Sequence, residues 1–166
     1  MSIEIPIEKK FQILCGIARA QHFAWREACT QICPEKDTSE FTYKMWEISA
    51  RDTGRAYVKM INQNNSIPEQ IAESIVKSSI TMGEDAKIIK GEQDDEYFVR
   101  HDACPWFEWH NRLGLLPEDR PGCDMWYFKT VEYINEKLGT NVKIETTKAL
   151  PDGDDCCLRR IWIDKK

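Results

Sequence analysis

The sequence predicts an α+β fold, in which N-terminal helices are followed by a ββααββ unit with a small antiparallel sheet. Apolar side chains recur at helical spacing over residues 1–83, whereas strand-like and helix-like segments alternate over residues 84–166. Helices grouped apart from hairpin-connected strands are typical of α+β domains. Because 166 residues suffice for one hydrophobic core, we expect a single domain over residues 1–166, with a helical part and a cysteine-containing part.

Three helices are predicted in the helical part. The first carries one apolar stripe at helical spacing: Ile7, Phe11, Leu14, Ala18 and Trp25. It should end near Cys33. The second begins after the capping residues Asp37 to Glu40, and the third begins with a capping box at Ser66.

Four strands and two helices are predicted in the cysteine-containing part. The strands are expected at 86–91, 96–101, 142–149 and 157–163, and the helices at 105–115 and 124–138. In this reading Asp124 is a helix N-cap. Cys123 then lies at a helix N-terminus, where the helix dipole would favour the thiolate.

Charge and hydropathy restrict the partners. The net charge is −5 and the basic residues are scattered, so we expect no nucleic-acid binding. No apolar run approaches the ~20 residues that cross a bilayer, and no secretory signal is visible. We therefore expect a cytoplasmic protein with a small-molecule ligand or substrate. The helical part is expected either to pack on the sheet or to form a homodimer surface.

Seven cysteines are unusual for a chain of this length. In a reducing compartment such clusters indicate metal binding or catalysis more often than disulfides. We expect a metal set, with zinc as the candidate ion, formed by His101, Cys104, Cys123 and Cys157. The alternative is that these thiols pack in the core as small apolar groups. Cys156 points to the sheet face opposite Cys157, and which of the two faces the site stays open.

Other side chains near these thiols suit proton transfer and ligand binding. Candidate acid–base groups are Asp124, His110 and Glu108. The alternative for the carboxylates is a capping role. Four aromatic residues either line a ligand pocket or belong to the core: Trp106, Trp109, Trp126 and Tyr127.

A set of short motifs suggests a family. They are Cys104-Pro105-Trp106-Phe107, Leu113-Gly114-Leu115, Cys123-Asp124, Thr146-Thr147-Lys148-Ala149-Leu150 and Gly153-Asp154-Asp155-Cys156-Cys157. Together they resemble the L-2-amino-thiazoline-4-carboxylic acid hydrolase family, and the final motif is also similar to the 4-vinyl reductase domain. The chain departs from the family pattern at Arg159, where an aromatic residue is usual.

The first resemblance implies hydrolytic opening of a thiazoline ring to a carbamoyl-cysteine. A metal held by some of the four predicted ligands would activate water or polarise the C=N bond. The second resemblance implies a binding or sensor module for a small molecule such as a tetrapyrrole or a corrinoid. A third hypothesis is an accessory domain in which the cysteines are core residues.

Overall fold

The computed structural model describes residues 4–164 and confirms the α+β class. In chain order the elements are α1 (Ile7–Ile32), α2 (Thr38–Val58), α3 (Ile67–Thr81), β1 (Asp85–Lys90), β2 (Glu96–Ala103), α4 (Pro105–Leu113), α5 (Leu116–Leu138), β3 (Val142–Lys148), a one-turn 3-10 helix (Leu150–Asp152) and β4 (Cys157–Ile163). Two compact units divide the chain, the first ending at Phe41 and the second beginning at Thr42. Within residues 4–164, no helix combines the length and the apolar character needed to cross a bilayer.

The first unit is dominated by α1, which ends where predicted, one residue before Cys33. Much of its predicted apolar stripe is exposed: Ile7, Leu14 and Trp25 are 71%, 63% and 73% exposed. The buried side chains of α1 are instead Cys15, Arg19 and Phe23. Helical periodicity identifies an apolar face, but it does not tell whether another element covers that face.

The second unit contains a four-stranded antiparallel sheet in the order β1-β2-β4-β3. Residues that pair across antiparallel strands share a face of the sheet. His101 of β2 pairs with Cys157 of β4, and Val99 pairs with Arg159, which also pairs with Thr146 of β3. These five side chains therefore lie on one face, which we call the inner face.

The inner face packs against α3 and α5. The third helix begins as predicted, since the Ser66 hydroxyl accepts a hydrogen bond from the Glu69 amide at 3.3 Å. The buried core comprises Tyr57, Ile71, Ala72, Ile75, Tyr97, Val99, Tyr127, Val131, Ile134, Val142 and Ile161. This packing brings polar side chains of α5 and β4 together beneath the sheet.

The opposite face of the sheet carries ion pairs. Asp102 accepts hydrogen bonds from Lys87 and Arg100 at 2.5 Å each, and Arg160 donates to Glu96 at 2.5 Å. Alternation along β2 and β4 thus separates a charged face from the inner face.

Helix α5 begins at Leu116, eight residues earlier than predicted, and continues through Pro121. The prediction that Asp124 is an N-cap is therefore wrong. Pro121 and Gly122 resemble a helix break in the sequence, but Gly122 serves close packing instead. A Cβ atom at Gly122 would lie 2.8 Å from Cδ1 of Trp46, so only glycine allows this approach.

Candidate functional site

One face of α5 supplies three polar groups to the interior. Asp119, Cys123 and Tyr127 follow one another at intervals of four residues, which places them on one face of the helix. This face lies over the inner face of the sheet, where β4 contributes Cys157 and Arg159. The result is a buried polar cluster between helix and sheet.

Arg159 is the cation at the centre of this cluster. Its side chain is 3% exposed, and one terminal nitrogen, Nη2, donates to the Cys123 sulfur at 2.9 Å. The guanidinium carbon lies 4.0 Å from the centre of the Tyr127 ring, a cation–π distance. The Tyr127 ring determines the plane of the guanidinium, and the Cys123 sulfur holds the edge that carries Nη2.

Burial determines the protonation of the groups around Arg159. It raises the pKa of the Cys123 thiol well above its usual value, and Arg159 opposes this only in part. It raises the pKa of Tyr127 in the same way. Although burial alone would lower the pKa of Arg159, its neighbours raise it overall. At neutral pH the cluster therefore combines a guanidinium cation with a neutral thiol and a neutral phenol.

Two further thiols belong to the same cluster. Burial, reinforced by the negative charge of Glu84, raises the pKa of Cys104 to about 12. The Cys157 sulfur accepts a hydrogen bond from the Leu150 amide at 3.4 Å. Cys157 contributes to the electrostatic environment of both Cys104 and Cys123, which indicates that the three thiols share one region. Cys157, rather than Cys156, thus lies on the side of the site.

The prediction that Cys123 lies at a helix N-terminus is wrong. It is the eighth residue of α5, two turns from the first residue. The electrostatic effect of a helix terminus falls off within its first turn. Desolvation is therefore the dominant influence on this thiol, and it favours the neutral form.

Asp119 and His110 lie next to each other in the cluster. Both are buried, and the Asp119 Oδ2 oxygen lies 3.7 Å from His110 Nδ1. The same ring nitrogen is 2.9 Å from the Trp106 carbonyl, to which it donates. Burial raises the pKa of Asp119, while the charges of His110 and Arg159 act in the opposite direction. A carboxyl group with a raised pKa is suited to proton transfer near neutral pH.

His101 lies at the end of β2, with 2% of its surface exposed. Its Nε2 nitrogen lies 2.9 Å from the Ser79 hydroxyl and 3.2 Å from a Glu84 carboxylate oxygen. The other ring nitrogen, Nδ1, has no hydrogen-bond partner among the described residues. The contacts of His101 with Ser79 and Glu84 hold the imidazole in place.

Three buried polar atoms in or beside this cluster have no hydrogen-bond partner in the described chain: His101 Nδ1, Asp119 Oδ2 and Arg159 Nε. Buried polar atoms are paired in nearly all native structures. Three exceptions in one region indicate a place where a polar small molecule or water would supply the missing partners.

Asp124 connects the cluster to the surface. It accepts hydrogen bonds from Thr146 at 2.6 Å and from Arg120 at 3.4 Å. Arg120 also pairs with Asp152 at an open groove of about 410 Å³, which is lined by Leu116, Pro117, Arg120, Pro121, Pro151 and Asp152. The groove therefore lies beside the α5 turn that carries Asp124.

The remaining predicted residues occupy varied positions. Glu108 is exposed on α4, apart from the buried cluster. Trp106 packs edge-on against Trp46 with 5.5 Å between ring centres, and Trp126 packs edge-on against Tyr127 at 4.8 Å. The ring of Trp109 lies 4.1 Å from the Arg112 guanidinium carbon. Of the four predicted aromatic residues, Tyr127 is the one that directly contacts Arg159.

The predicted zinc ligands do not form a metal-binding group in the structure. Over residues 4–164, no three His, Cys, Asp or Glu side chains are arranged to hold a metal ion. Instead, three of the predicted ligands have protein partners: His101 contacts Ser79 and Glu84, Cys123 accepts from Arg159, and Cys157 accepts from the Leu150 amide.

Sequence reasoning missed Asp119 as a site residue and treated Arg159 only as a departure from a family pattern. Asp119 lies in the stretch interpreted as a loop, so its helical spacing to Cys123 was hidden. For Arg159 a signal was available, since strand alternation places it on the same face as Cys157 and Ile161.

Comparison with known families agrees with the motifs in the sequence. The family model for L-2-amino-thiazoline-4-carboxylic acid hydrolase matches residues 16–161, nearly the whole chain. The chain belongs to this family. Membership supports a hydrolase-like function at the level of the family. The matched region contains Cys104, Cys123, Cys157 and Arg159.

The other comparisons concern curated proteins and solved structures. No curated protein matches the chain. Among solved structures, the chain is similar to a trafficking protein particle complex subunit 3 from Naegleria fowleri, covalently bound to palmitic acid. The two are 15% identical, with a TM-score of 0.57, and the match covers 93% of this chain and 97% of that chain. At this identity the likeness shows a shared fold.

Proposed function

We propose that the protein hydrolyses a small cyclic substrate at a C=N carbon, with the buried cluster around Arg159 as its active site and Asp119 as its general base. The observation that carries this proposal is the set of three unpartnered buried atoms at His101, Asp119 and Arg159. Family membership supplies the reaction class, since the family is described by hydrolysis of a 2-amino-thiazoline-4-carboxylic acid.

Asp119 is suited to activating water. Its Oδ2 oxygen has no hydrogen-bond partner, and burial raises its pKa, which makes the carboxylate a stronger base than an exposed aspartate. His110 lies 3.7 Å away and would favour the ionised carboxylate when the imidazole is charged. General base catalysis by a positioned group contributes about 10²- to 10⁴-fold to a rate.

The proposed reaction consumes one water molecule. Asp119 removes one proton from the water while the water oxygen bonds to the ring carbon between nitrogen and sulfur, and the π electrons of the C=N bond move to the ring nitrogen. The second water proton then passes from the oxygen to that nitrogen as the C=O bond forms and the carbon–sulfur bond breaks, and the sulfur leaves with the proton that Asp119 held. The products of a 2-amino-thiazoline are a free thiol and a ureido group on one molecule, and no oxidant or reductant is needed.

The neutral thiols fit a non-covalent route. Cys104 and Cys123 have raised pKa values, so neither is ionised to a useful extent at neutral pH. In this proposal they shape the site and form no bond to the substrate. Asp124, which hydrogen-bonds Thr146 and Arg120, positions the α5 turn.

The test is turnover of 2-amino-thiazoline-4-carboxylic acid, followed by mass spectrometry of the product, in wild type, Asp119→Asn and Asp102→Asn. Asp102→Asn is the matched control, because Asp102 makes the same kind of charged contacts on the opposite sheet face. We expect Asp119→Asn to lower kcat by at least ~100-fold with a smaller change in KM, and the control to retain wild-type rates. Equal rates in the two folded variants would exclude Asp119 as the base.

Metal assistance by His101, Cys104, Cys123 and Cys157 is an alternative to this route, and it would require these side chains to rearrange, because among the described residues they do not form a metal-binding group. A zinc ion at thiolate and imidazole ligands would lower the pKa of bound water. Protein purified without added metal is expected to hold about one metal per chain under this version, and Cys104→Ser or Cys123→Ser should release it. Full activity in metal-free protein would leave Asp119 as the sufficient base.

A binding or sensor role is the second candidate, and the shared fold favours it. The similar trafficking subunit is covalently bound to palmitic acid, so one protein of this fold binds a small molecule. For the present chain, this candidate predicts a co-purified ligand or a rise in Tm on adding a tetrapyrrole or corrinoid, without turnover of the thiazoline. Turnover without such a ligand would favour the hydrolase.

A further inference from the structure

Arg159 is a buried cation without an anionic partner. No carboxylate oxygen of residues 4–164 lies within 4.0 Å of its nitrogens. The Cys123 sulfur accepts one N–H, but this thiol is neutral at neutral pH, and the carboxyl groups of Asp124 and Asp119 act on the guanidinium only from a distance. An isolated buried charge is unfavourable unless it is paired. The arrangement is therefore that of a receptor whose anion comes from outside the chain.

The guanidinium is also held in a defined orientation. Tyr127 covers one face at 4.0 Å, and Cys123 engages Nη2 at 2.9 Å. The Nε–H is left without an acceptor. A fixed guanidinium with free N–H groups matches the planar geometry of a carboxylate, to which arginine donates parallel hydrogen bonds.

The position of Arg159 within the cluster fits a substrate that reaches from Arg159 to Asp119. Arg159 and Asp119 influence each other electrostatically across the interior, and each has one unpartnered atom. A substrate whose carboxylate reached Arg159 would be oriented relative to Asp119. Such orientation by a group remote from the reacting bond is how an enzyme fixes a reactive geometry.

We propose that Arg159 binds the carboxylate of the substrate and thereby makes the enzyme selective for small cyclic molecules that carry one. This inference rests on the proposed function, because it assigns a specificity role within the same site. Arg159 is a positioning residue in this account, and it takes no part in proton transfer.

The competing explanation is that Arg159, Cys123 and Tyr127 form a purely structural contact. In that case replacement of Arg159 would alter stability and the rates of all substrates alike. Selectivity between a substrate with a carboxylate and one without it would be unchanged. The two explanations therefore differ in a ratio, which does not depend on how much active protein a variant contains.

The experiment compares kcat/KM for 2-amino-thiazoline-4-carboxylic acid and for 2-amino-thiazoline, which lacks the carboxylate, in wild type, Arg159→Gln and Arg160→Gln. Arg160 is the matched control, because it is the next residue of β4 and pairs with Glu96 on the opposite face. We expect the wild-type preference for the carboxylate to fall about 10- to 150-fold in Arg159→Gln, the range for hydrogen bonds to charged groups, and to persist in Arg160→Gln. A ratio that is the same in both variants would overturn the inference.

Binding of the same two compounds, measured by calorimetry, makes the result independent of turnover. If the wild type turns over neither compound, the proposed function fails, while tighter binding of the carboxylate that is lost in Arg159→Gln still supports this inference. Arg159→Lys replaces the glutamine variant if the latter does not fold, and its preference should fall at least about tenfold because lysine lacks the planar fork. Should neither variant fold, wild-type binding decides: equal affinity for the acid and its methyl ester would overturn the inference.

Discussion

The reactivity of Cys104 toward iodoacetamide tests the electrostatic description of the site. With a pKa of about 12, this thiol is ionised to about one part in 10⁴ at pH 8. A free peptide cysteine, with a pKa of ~8.5, is ionised to about one quarter. The thiolate population of Cys104 is therefore lower by roughly 2,000-fold.

Nucleophilicity offsets part of this difference. A thiolate of higher pKa reacts faster, with a Brønsted slope of ~0.4–0.5, and a difference of ~3.5 pKa units then restores about 25- to 55-fold. The net expectation is that Cys104 reacts about 40 to 100 times more slowly than the peptide at pH 8, before any effect of restricted access.

The assay is the pH dependence of alkylation at Cys104, followed by peptide mass spectrometry from pH 7 to 9.5. Restricted access lowers the rate by the same factor at every pH, so the slope shows whether the pKa of Cys104 lies above the pH range tested. We expect the rate to rise about tenfold per pH unit throughout, whereas the peptide levels off near its own pKa of ~8.5. Glu84→Gln should speed the reaction, since Glu84 is the second cause of the raised pKa, and Glu108→Gln on the exposed face of α4 should not. A plateau near pH 8.5 at Cys104 would refute the reasoning.

Three further predictions concern stability. Burial raises the pKa of Asp119 in the folded state, so the folded protein retains a proton that the unfolded chain releases above pH ~3.9. The free energy of unfolding of wild type relative to Asp119→Asn, measured in urea, should therefore fall as the pH rises through the folded-state pKa of Asp119, and a difference that does not change with pH would count against the raised pKa. Gly54→Ala places a Cβ atom 3.0 Å from the Tyr133 side chain, and chemical unfolding should show a loss of about 1–3 kcal/mol. Tyr57→Phe removes the hydroxyl that donates to the Ser74 carbonyl at 3.0 Å, and the free energy of unfolding should fall by about 1 kcal/mol in the same assay. An unchanged free energy of unfolding would show that this hydrogen bond does not stabilise the fold.

Much of the fold was accessible from local signals in the sequence. The capping box at Ser66 and the hairpin strands have short-range causes, and the elements that they define begin within one or two residues of the predicted positions. The start of α5 was not accessible in this way. Pro121 and Gly122 have the local character of a break, whereas in the structure the helix continues through both and Gly122 packs closely against Trp46.

The site shows the same division between local and tertiary information. Strand alternation is sufficient to place Cys157 and Arg159 on one face, although it was not applied to Arg159 in the prediction from sequence, and nothing local indicates that α5 brings Cys123 to within 2.9 Å of the guanidinium. Because the start of α5 was predicted too late in the sequence, the predicted direction of the pKa shift of the Cys123 thiol was also wrong. A helix terminus would have favoured the thiolate. Cys123 instead lies two turns from the terminus, and its burial in the surrounding core favours the neutral thiol.

The most direct test of the central claim is hydrolysis of 2-amino-thiazoline-4-carboxylic acid by purified protein in water enriched in heavy oxygen. The account predicts many turnovers per chain and a product that carries one heavy oxygen atom in its ureido group together with a free thiol. It also predicts that Asp119→Asn, folded as judged by circular dichroism, loses this turnover. Substrate that stays intact beyond the buffer rate, in the presence of folded wild-type protein, would contradict the assignment of the buried cluster as a hydrolytic site.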